Sequence, residues 1–220
     1  MSHTYPPLFG LYAVTPDEPD TDKLRKKLAA VLAGGCRWVQ YRHKTADALL
    51  KQRQARVLHD LCRTHAAALI INDDVSLARA IGAAGVHLGK GDSSPKEARK
   101  MLGDEAIIGI SCYQDLERAE GFANSLADSG RCAYLAFGAA YPSLTKPEAL
   151  PLEPDFFSRA SRLSLPVCAI GGITLENAAP LLQTGVRMLA VVNDIFSRPL
   201  GAITARVEAY QKLFEEFAHV

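Results

Sequence analysis

The amino-acid sequence predicts an α/β protein, folded as a single (β/α)8 TIM barrel over residues 1–220. Apolar runs of strand length alternate with amphipathic helical patterns, and eight such pairs fit this chain length. The runs are apolar at successive positions, as in parallel strands that are buried on both faces. A doubly wound open sheet is the alternative fold. However, the Gly-rich turn that usually follows its first strand is missing here, where the sequence reads Val14-Thr15-Pro16.

One strand organises this prediction. The apolar run Ala66–Ile71 ends abruptly at Asn72, Asp73 and Asp74. Asn and Asp are poor strand residues, so the sheet is expected to stop there. Oxygen ligands at the carboxyl end of a central strand can hold a metal or a polar substrate. Alternatively, one of the two carboxylates simply caps the helix Val75–Ala80.

Four strand–helix pairs account for the first half of the chain. Gly34 and Gly82 end the first and third helices, since glycine accepts the backbone conformation found at helix ends. Thr45 can cap the second helix, and Ser94 opens a capping box for the fourth. The predicted strands are Leu8–Thr15, Trp38–Lys44, Ala66–Ile71 and Gly85–Gly89.

Four further pairs fill the second half. Asp115 opens the helix after strand five, and Thr174 caps the helix after strand seven. A long loop rich in Pro, Ser, Thr and Lys extends from about Gly138 to Pro154. The last helix has an apolar stripe that runs from Ile203 to Phe217. The predicted strands are Ala106–Ser111, Ala133–Phe137, Pro166–Gly172 and Met188–Asn193.

Composition narrows the class of protein. The balance of 25 basic against 24 acidic residues argues against nucleic-acid or membrane partners. The sequence shows no signal segment and no run of membrane-spanning length, so we expect a cytoplasmic protein with small-molecule partners. A homo-oligomer is compatible with the sequence. Five scattered cysteines without a CxxC pair indicate reduced thiols rather than a zinc site: Cys36, Cys62, Cys112, Cys132 and Cys168.

Polar residues recur where the predicted strands end, which is the face of a barrel that carries catalytic groups. Arg and Lys side chains can bind a polyanion, and two carboxylates can hold Mg²⁺, which takes one or two protein carboxylates. Glycine turns after strands seven and eight can bind a phosphate through backbone N–H groups. By contrast, His87 lies within a short apolar strand and is better explained as a structural histidine than as a base. The residues at this face are Gln40, Arg42, Lys44, Asn72, Asp73, Asp92, Ser111, Ser143, Thr145, Lys146, Gly171, Gly172, Val192, Asn193 and Asp194.

Seven stretches in this order resemble the thiamine phosphate synthase family, and the resemblance covers nearly the whole chain. They are GCRWVQYRHK (35–44), IIND (70–73), GVHLGKGD (85–92), IIGIS (107–111), SLTKP (143–147), AIGGITLEN (169–177) and AVVN (190–193).

The resemblance implies a transferase of thiamine biosynthesis. It would join 4-amino-2-methyl-5-hydroxymethylpyrimidine diphosphate to 4-methyl-5-(2-phosphoethyl)thiazole, or its carboxylated form, and release pyrophosphate. Asp73 and Asp92 would hold Mg²⁺, and Arg42, Ser111 and Lys146 would act in catalysis. The implied substrate contacts are Gln40, Tyr41, Arg42, His43, Lys44, Asn72, Ser111 and Lys146 for the pyrimidine diphosphate, and Ser143, Leu144, Thr145, Gly172, Val192 and Asn193 for the thiazole phosphate and its loop.

The sequence departs from the family pattern at several of these sites, and two other functions stay open. One is a thiazole tautomerase, an isomerase on the same barrel that needs no pyrophosphate site. The other is a non-catalytic phosphate-binding barrel. Asp73, Asp92, Arg42 and Lys146 favour the synthase over the tautomerase. The departures are Lys90 and Gly91 near the second carboxylate, Cys112-Tyr113 after strand five, Ser143, and Asn193-Asp194 where Ser-Ala is common.

Overall fold

The computed structural model describes residues 5–126, 133–142 and 151–218. Its parallel strands form a closed barrel in sequence order, and the last strand pairs with the first. This confirms the predicted TIM barrel. The strands are β1 (Gly10–Val14), β2 (Trp38–Tyr41), β3 (Ala68–Asn72), β4 (Gly85–Leu88), β5 (Ile107–Tyr113), β6 (Ala133–Phe137), β7 (Val167–Ile170) and β8 (Met188–Val191).

Helices follow the strands around the outside of the barrel. The capping box of Ser94 and the helix ends at Gly34 and Gly82 lie where the sequence predicted them. The helices are α1 (Thr21–Ala33), α2 (Ala48–Thr64), α3 (Val75–Ile81), α4 (Pro95–Leu102), α5 (Leu116–Leu126), α6 (Pro154–Ala160), α7 (Leu175–Gln183), α8 (Asn193–Phe196) and α9 (Leu200–Glu216).

Two local predictions were wrong. The cap of α2 is Asp47 rather than Thr45, because the Asp47 carboxylate accepts a hydrogen bond from Leu50 N at 2.8 Å. The eighth strand stops at Val191, and Asn193 begins the short helix α8 instead of ending the strand. A four-residue helix is too short to show the helical period in a sequence.

Two apolar cores result from the alternation of side chains along the strands. The inner core fills the barrel, and Trp38 and Tyr134 are among its largest residues. The outer core packs the other faces of the strands against the helices. The Trp38 indole N–H donates to the carbonyl oxygen of Pro7 at 2.9 Å, so the segment before β1 is tied to the inner core.

Asp73 and Asp74, which follow β3, have different roles. Asp74 is the N-cap of α3, and its side chain accepts from Leu77 N at 2.8 Å. Asp73 has a left-handed backbone with φ of 63°. Asp tolerates this conformation better than most residues. Capping therefore uses Asp74 and leaves the Asp73 carboxylate available at the barrel mouth.

The cysteines within the described ranges, Cys36, Cys62, Cys112 and Cys168, are buried free thiols. Burial raises the pKa of Cys36 to about 11 and of Cys112 to about 12, so both stay protonated at neutral pH. Cys132 lies outside the described residues. In the part of the chain that the structure describes, no helix is long and apolar enough to cross a membrane.

Candidate active site

Two basic side chains follow β2, and each has a carboxylate partner. Arg42 Nη1 donates to Asp17 Oδ1 at 3.1 Å, and Lys44 Nζ donates to Asp73. Asp17 Oδ1 also accepts from the Lys44 backbone N–H at 3.0 Å. Thr15 completes the link, because its hydroxyl accepts from Arg42 N at 2.9 Å and donates to Arg42 O at 3.0 Å. The loop after β1 thus fixes the loop that carries both cations.

Asp73 and Asp92 follow the neighbouring strands β3 and β4, and their carboxyl groups influence each other's pKa. Burial, and then the neighbouring Asp73, raise the pKa of Asp92. Burial alone would also raise the pKa of Asp73, but the hydrogen bond from Lys44, and then the neighbouring Asp92, lower it below the usual range. Asp92 is therefore the weaker acid of the two. Its Oδ2 also accepts from Gly89 N at 2.6 Å, which closes the loop after β4.

This pair fits a hard divalent cation. Two neighbouring carboxylates repel each other when both are ionised, and a cation between them would stabilise both as anionic ligands. Among the described residues, no cluster of three or more His, Cys, Asp or Glu side chains could hold a metal. Two carboxylates with remaining positions for water and phosphate oxygens suit Mg²⁺ rather than Zn²⁺.

A chain of buried hydrogen bonds crosses the barrel interior beneath this pair. Gln40 Nε2 donates to the Tyr12 hydroxyl at 2.9 Å, and that hydroxyl shares a hydrogen bond with the Tyr134 hydroxyl at 2.8 Å. The Tyr134 hydroxyl bonds His87 Nδ1 at 2.9 Å. His87 Nε2 bonds Ser111 Oγ, also at 2.9 Å. Side chains from β2, β1, β6, β4 and β5 are thereby linked in one path.

The donors in this path can be assigned in one consistent direction. Burial lowers the pKa of His87 to about 4, so the ring is neutral at pH 7 and carries one N–H. If Tyr134 donates to Nδ1, the His87 hydrogen lies on Nε2 and is donated to Ser111. The Ser111 hydroxyl hydrogen is then left to bond a group at the mouth. The paired, neutral ring agrees with the structural interpretation of His87.

The glycine turn after β7 is tightly enclosed. Gly172 has φ of 65°, and a Cβ there would lie 2.4 Å from the carbonyl oxygen of Pro142. Asn177 Nδ2 donates to Gly172 O at 3.0 Å, and Asn177 Oδ1 accepts from Thr174 N at 2.8 Å. The Tyr141 hydroxyl donates to Asn177 O at 2.7 Å. The turn and the start of α7 are therefore held as one unit.

Comparison with known proteins identifies the family of this chain. A sequence model of the thiamine monophosphate synthase family matches residues 11–195. The chain belongs to this family. It is 50% identical over 201 residues to the thiamine-phosphate synthase of Thioalkalivibrio sulfidiphilus, covering 90% of this chain and 93% of that protein. It is 46% identical to the thiamine-phosphate synthase of Methylobacillus flagellatus, covering 96% and 98%.

A solved structure of the family has the same fold. Thiamine phosphate pyrophosphorylase from Pyrococcus furiosus superposes with a TM-score of 0.78 at 27% identity, over 96% of this chain and 97% of that one. The family membership and the barrel predicted from the sequence are thus both confirmed.

The other residues that the family resemblance implied differ in where they lie. The Tyr41 hydroxyl donates to Gln54 on α2 at 2.9 Å, so this side chain points into the helix layer rather than toward the mouth. His43 is buried, and its Nδ1 accepts from Ala46 N at 3.1 Å. It lines a cavity with Lys44, Asn72 and Asp73. Val192 and Asn193 lie at the start of α8. Ser143, Leu144, Thr145 and Lys146 lie outside the described residues.

Several residues that contact the candidate site were not predicted from the sequence. Tyr12 and Tyr134 lie inside apolar strands, and the inward alternation that includes Gln40 is the signal that could have indicated them. Asp17 has no local signal for its contact with Arg42. Asp194 was placed among the strand-end residues without a role.

Proposed function

We propose that the chain is a magnesium-dependent thiamine-phosphate synthase. It would transfer the (4-amino-2-methylpyrimidin-5-yl)methyl group of 4-amino-2-methyl-5-hydroxymethylpyrimidine diphosphate to the nitrogen of a thiazole phosphate, forming thiamine phosphate and pyrophosphate. The observation that carries this proposal is the neighbouring pair of carboxylates Asp73 and Asp92, with Lys44 bound to Asp73 and Arg42 in the same loop as Lys44. Family membership supplies the substrates.

The reaction breaks the bond between the methylene carbon and the diphosphate oxygen. The electron pair leaves with pyrophosphate, so negative charge grows on the leaving group as the bond lengthens. Arg42 and Lys44 would stabilise that charge, and Lys146 is predicted from the sequence to assist. Mg²⁺ held by Asp73 and Asp92 would supply further charge neutralisation. In exchange for the diphosphate, Arg42 and Lys44 would give up their present contacts with Asp17 and Asp73.

The aminopyrimidine can carry the positive charge left on the methylene carbon, and the thiazole nitrogen donates its lone pair to that carbon. This step moves no proton. The neutral His87, with both ring nitrogens hydrogen-bonded, suits such a step. Gln40 and Ser111 stand at the two ends of the interior path. They would contact the pyrimidine diphosphate, with the Ser111 hydroxyl as a donor.

The thiazole phosphate would be received by the turns after β7 and β8. Gly172 cannot be replaced by a larger residue without a clash with Pro142, which suits close approach of a ligand to backbone N–H groups. Val192 and Asn193 would contribute the second turn. Ser143 and Thr145 are proposed contacts from the sequence. We further propose a single-domain cytoplasmic enzyme that acts only on small phosphorylated molecules.

The test is to incubate the purified chain with both substrates and Mg²⁺ and to measure thiamine phosphate and pyrophosphate. Equal amounts of the two products are expected. Isomerisation of the thiazole without pyrophosphate release would instead identify a tautomerase. Binding of either phosphate compound without turnover would identify a non-catalytic barrel.

A further inference from the structure

We infer that Asp194 is a positioning residue that holds the two turns of the thiazole-phosphate subsite at a fixed separation. The inference rests on the proposed function. Asp194 is not expected to touch the substrate. Its carboxylate instead joins the helix that starts behind the glycine turn to the helix that starts at Asn193.

The carboxylate of Asp194 accepts hydrogen bonds from two helices, α7 and α9, and from the short segment between α8 and α9. Its Oδ2 accepts from Leu175 N, the first residue of α7, at 3.1 Å. Arg206 on α9 donates through Nε to Oδ2 at 2.8 Å and through Nη2 to Oδ1 at 2.7 Å. Tyr210 donates its hydroxyl to Oδ2 at 2.8 Å, and Arg198 donates to Oδ1 at 2.7 Å.

These contacts reach the glycine turn through a short covalent and hydrogen-bonded path. Leu175 follows Thr174, whose backbone N–H donates to Asn177, and Asn177 in turn donates to Gly172 O. Asp194 itself directly follows Asn193 in α8. One carboxylate therefore fixes the beginning of α7 relative to the beginning of α8. A phosphate that hydrogen-bonds to both turns requires the distance between the beginnings of α7 and α8 to be fixed to within a fraction of an ångström.

The burial of this carboxylate makes it a rigid support. The Asp194 side chain is 6% exposed, and two arginines compensate its charge. Arg206 is held from the other side by Glu176, with both bonds at 2.7 Å.

The test compares kinetics of the wild type with those of Asp194→Ala. We expect KM for the thiazole phosphate to rise about tenfold or more, while kcat and KM for the pyrimidine diphosphate stay within about threefold. Equal changes in both KM values, or an unchanged KM for the thiazole phosphate with a lower Tm, would overturn the inference.

If Asp194→Ala does not fold, the same measurement on Asp194→Asn decides. The amide keeps an acceptor for Leu175 N but turns N–H donors toward the arginines. A rise in the thiazole-phosphate KM of about threefold supports the inference, and an unchanged KM contradicts it.

Two control variants separate positioning from stability. Tyr210→Phe removes one bond from α9 and leaves the bond from Leu175 N to the same carboxylate oxygen in place. Glu176→Gln removes the charge of the outer partner of Arg206. Both are expected to lower Tm without the tenfold change in KM. A comparable rise in the controls would overturn the inference. A wild-type chain that forms no thiamine phosphate would refute the proposed function itself, whereas an active wild type with an unresponsive Asp194 variant would refute only the positioning role.

Discussion

Lys44 forms an ion pair with Asp73 at the end of β3 but, among the described residues, not with Asp92, which follows the neighbouring strand β4. The pKa of Asp73 is lowered, and the pKa of Asp92 is raised. A cation that bound both carboxylates would therefore compete with the Lys44 ammonium group for Asp73.

The first prediction concerns Asp92→Asn. This variant should need more Mg²⁺ for half-maximal turnover and should turn over more slowly, because an amide is a poorer ligand than a carboxylate. The fold should persist, since the amide can still accept from Gly89 N. A magnesium titration of the initial rate measures the effect.

The matched control is Asp74→Asn, which changes the neighbouring carboxylate. Asp74 caps α3, and Asn is an equally good cap, so neither magnesium dependence nor stability should change much. An unaltered titration in Asp92→Asn would remove Asp92 from the metal site.

The second prediction concerns Ser111→Ala. Turnover should fall by about tenfold or more, because the hydroxyl ends the interior path and is the proposed donor to the diphosphate. Stability should fall by only about 1 kcal/mol for the lost bond to His87. Single-turnover rates and Tm are to be measured together.

Ser125→Ala serves for comparison, since this exposed hydroxyl bonds only the Phe122 carbonyl within α5 among the described contacts. It should leave both quantities close to those of the wild type. Normal turnover with a lowered Tm in Ser111→Ala would assign Ser111 a structural role alone.

The barrel was predictable from the sequence because buried parallel strands appear as apolar runs, and β3 shows this most clearly. The positions of Asp73 and Asp92 followed from the same reasoning, since strand ends meet at one mouth. Contacts between side chains that are distant in the sequence could not be predicted. The local sequence does not indicate that Asp17 holds Arg42, or that Asp194 joins α7 to α9. The hydrogen-bonding role of Tyr134 could not be predicted, because a tyrosine within an apolar run resembles any other core residue.

The third prediction concerns Lys146→Ala and comes from the sequence. Pro147 favours an extended backbone at Lys146, and a lysine there would meet the leaving group. Turnover should fall on the order of a hundredfold, about 3 kcal/mol of lost transition-state stabilisation. The KM for the thiazole phosphate should change much less.

Steady-state kinetics on this variant, with Lys212→Ala on α9 as the exposed control, provide the measurement. Turnover of Lys146→Ala within about twofold of the wild type would exclude this lysine from the chemistry.

The last prediction concerns pH and the Asp194 network. Burial alone would raise the pKa of Asp194, but hydrogen bonds from Arg206, Arg198 and Tyr210 lower it below its ordinary value. A carboxyl with a lowered pKa in the folded state stabilises the fold above the ordinary pKa, near 4, and loses that contribution as the pH falls through the folded-state value.

Asp194→Asn should therefore be less stable than the wild type at pH 7, by up to about 3 kcal/mol, since the largely buried Arg206 then keeps only Glu176 as a counter-charge. The difference in Tm between the wild type and Asp194→Asn should narrow as the pH falls below about 4, because the wild-type carboxyl then becomes protonated and, like the amide, neutral. Calorimetric scans from neutral pH down to about pH 2.5 measure this gap. Asp22→Asn is the control, because its side chain is 83% exposed and its curve should stay parallel to that of the wild type. A gap between wild type and Asp194→Asn that did not change with pH would show that the charge of Asp194 contributes nothing to holding α7, α8 and α9 together.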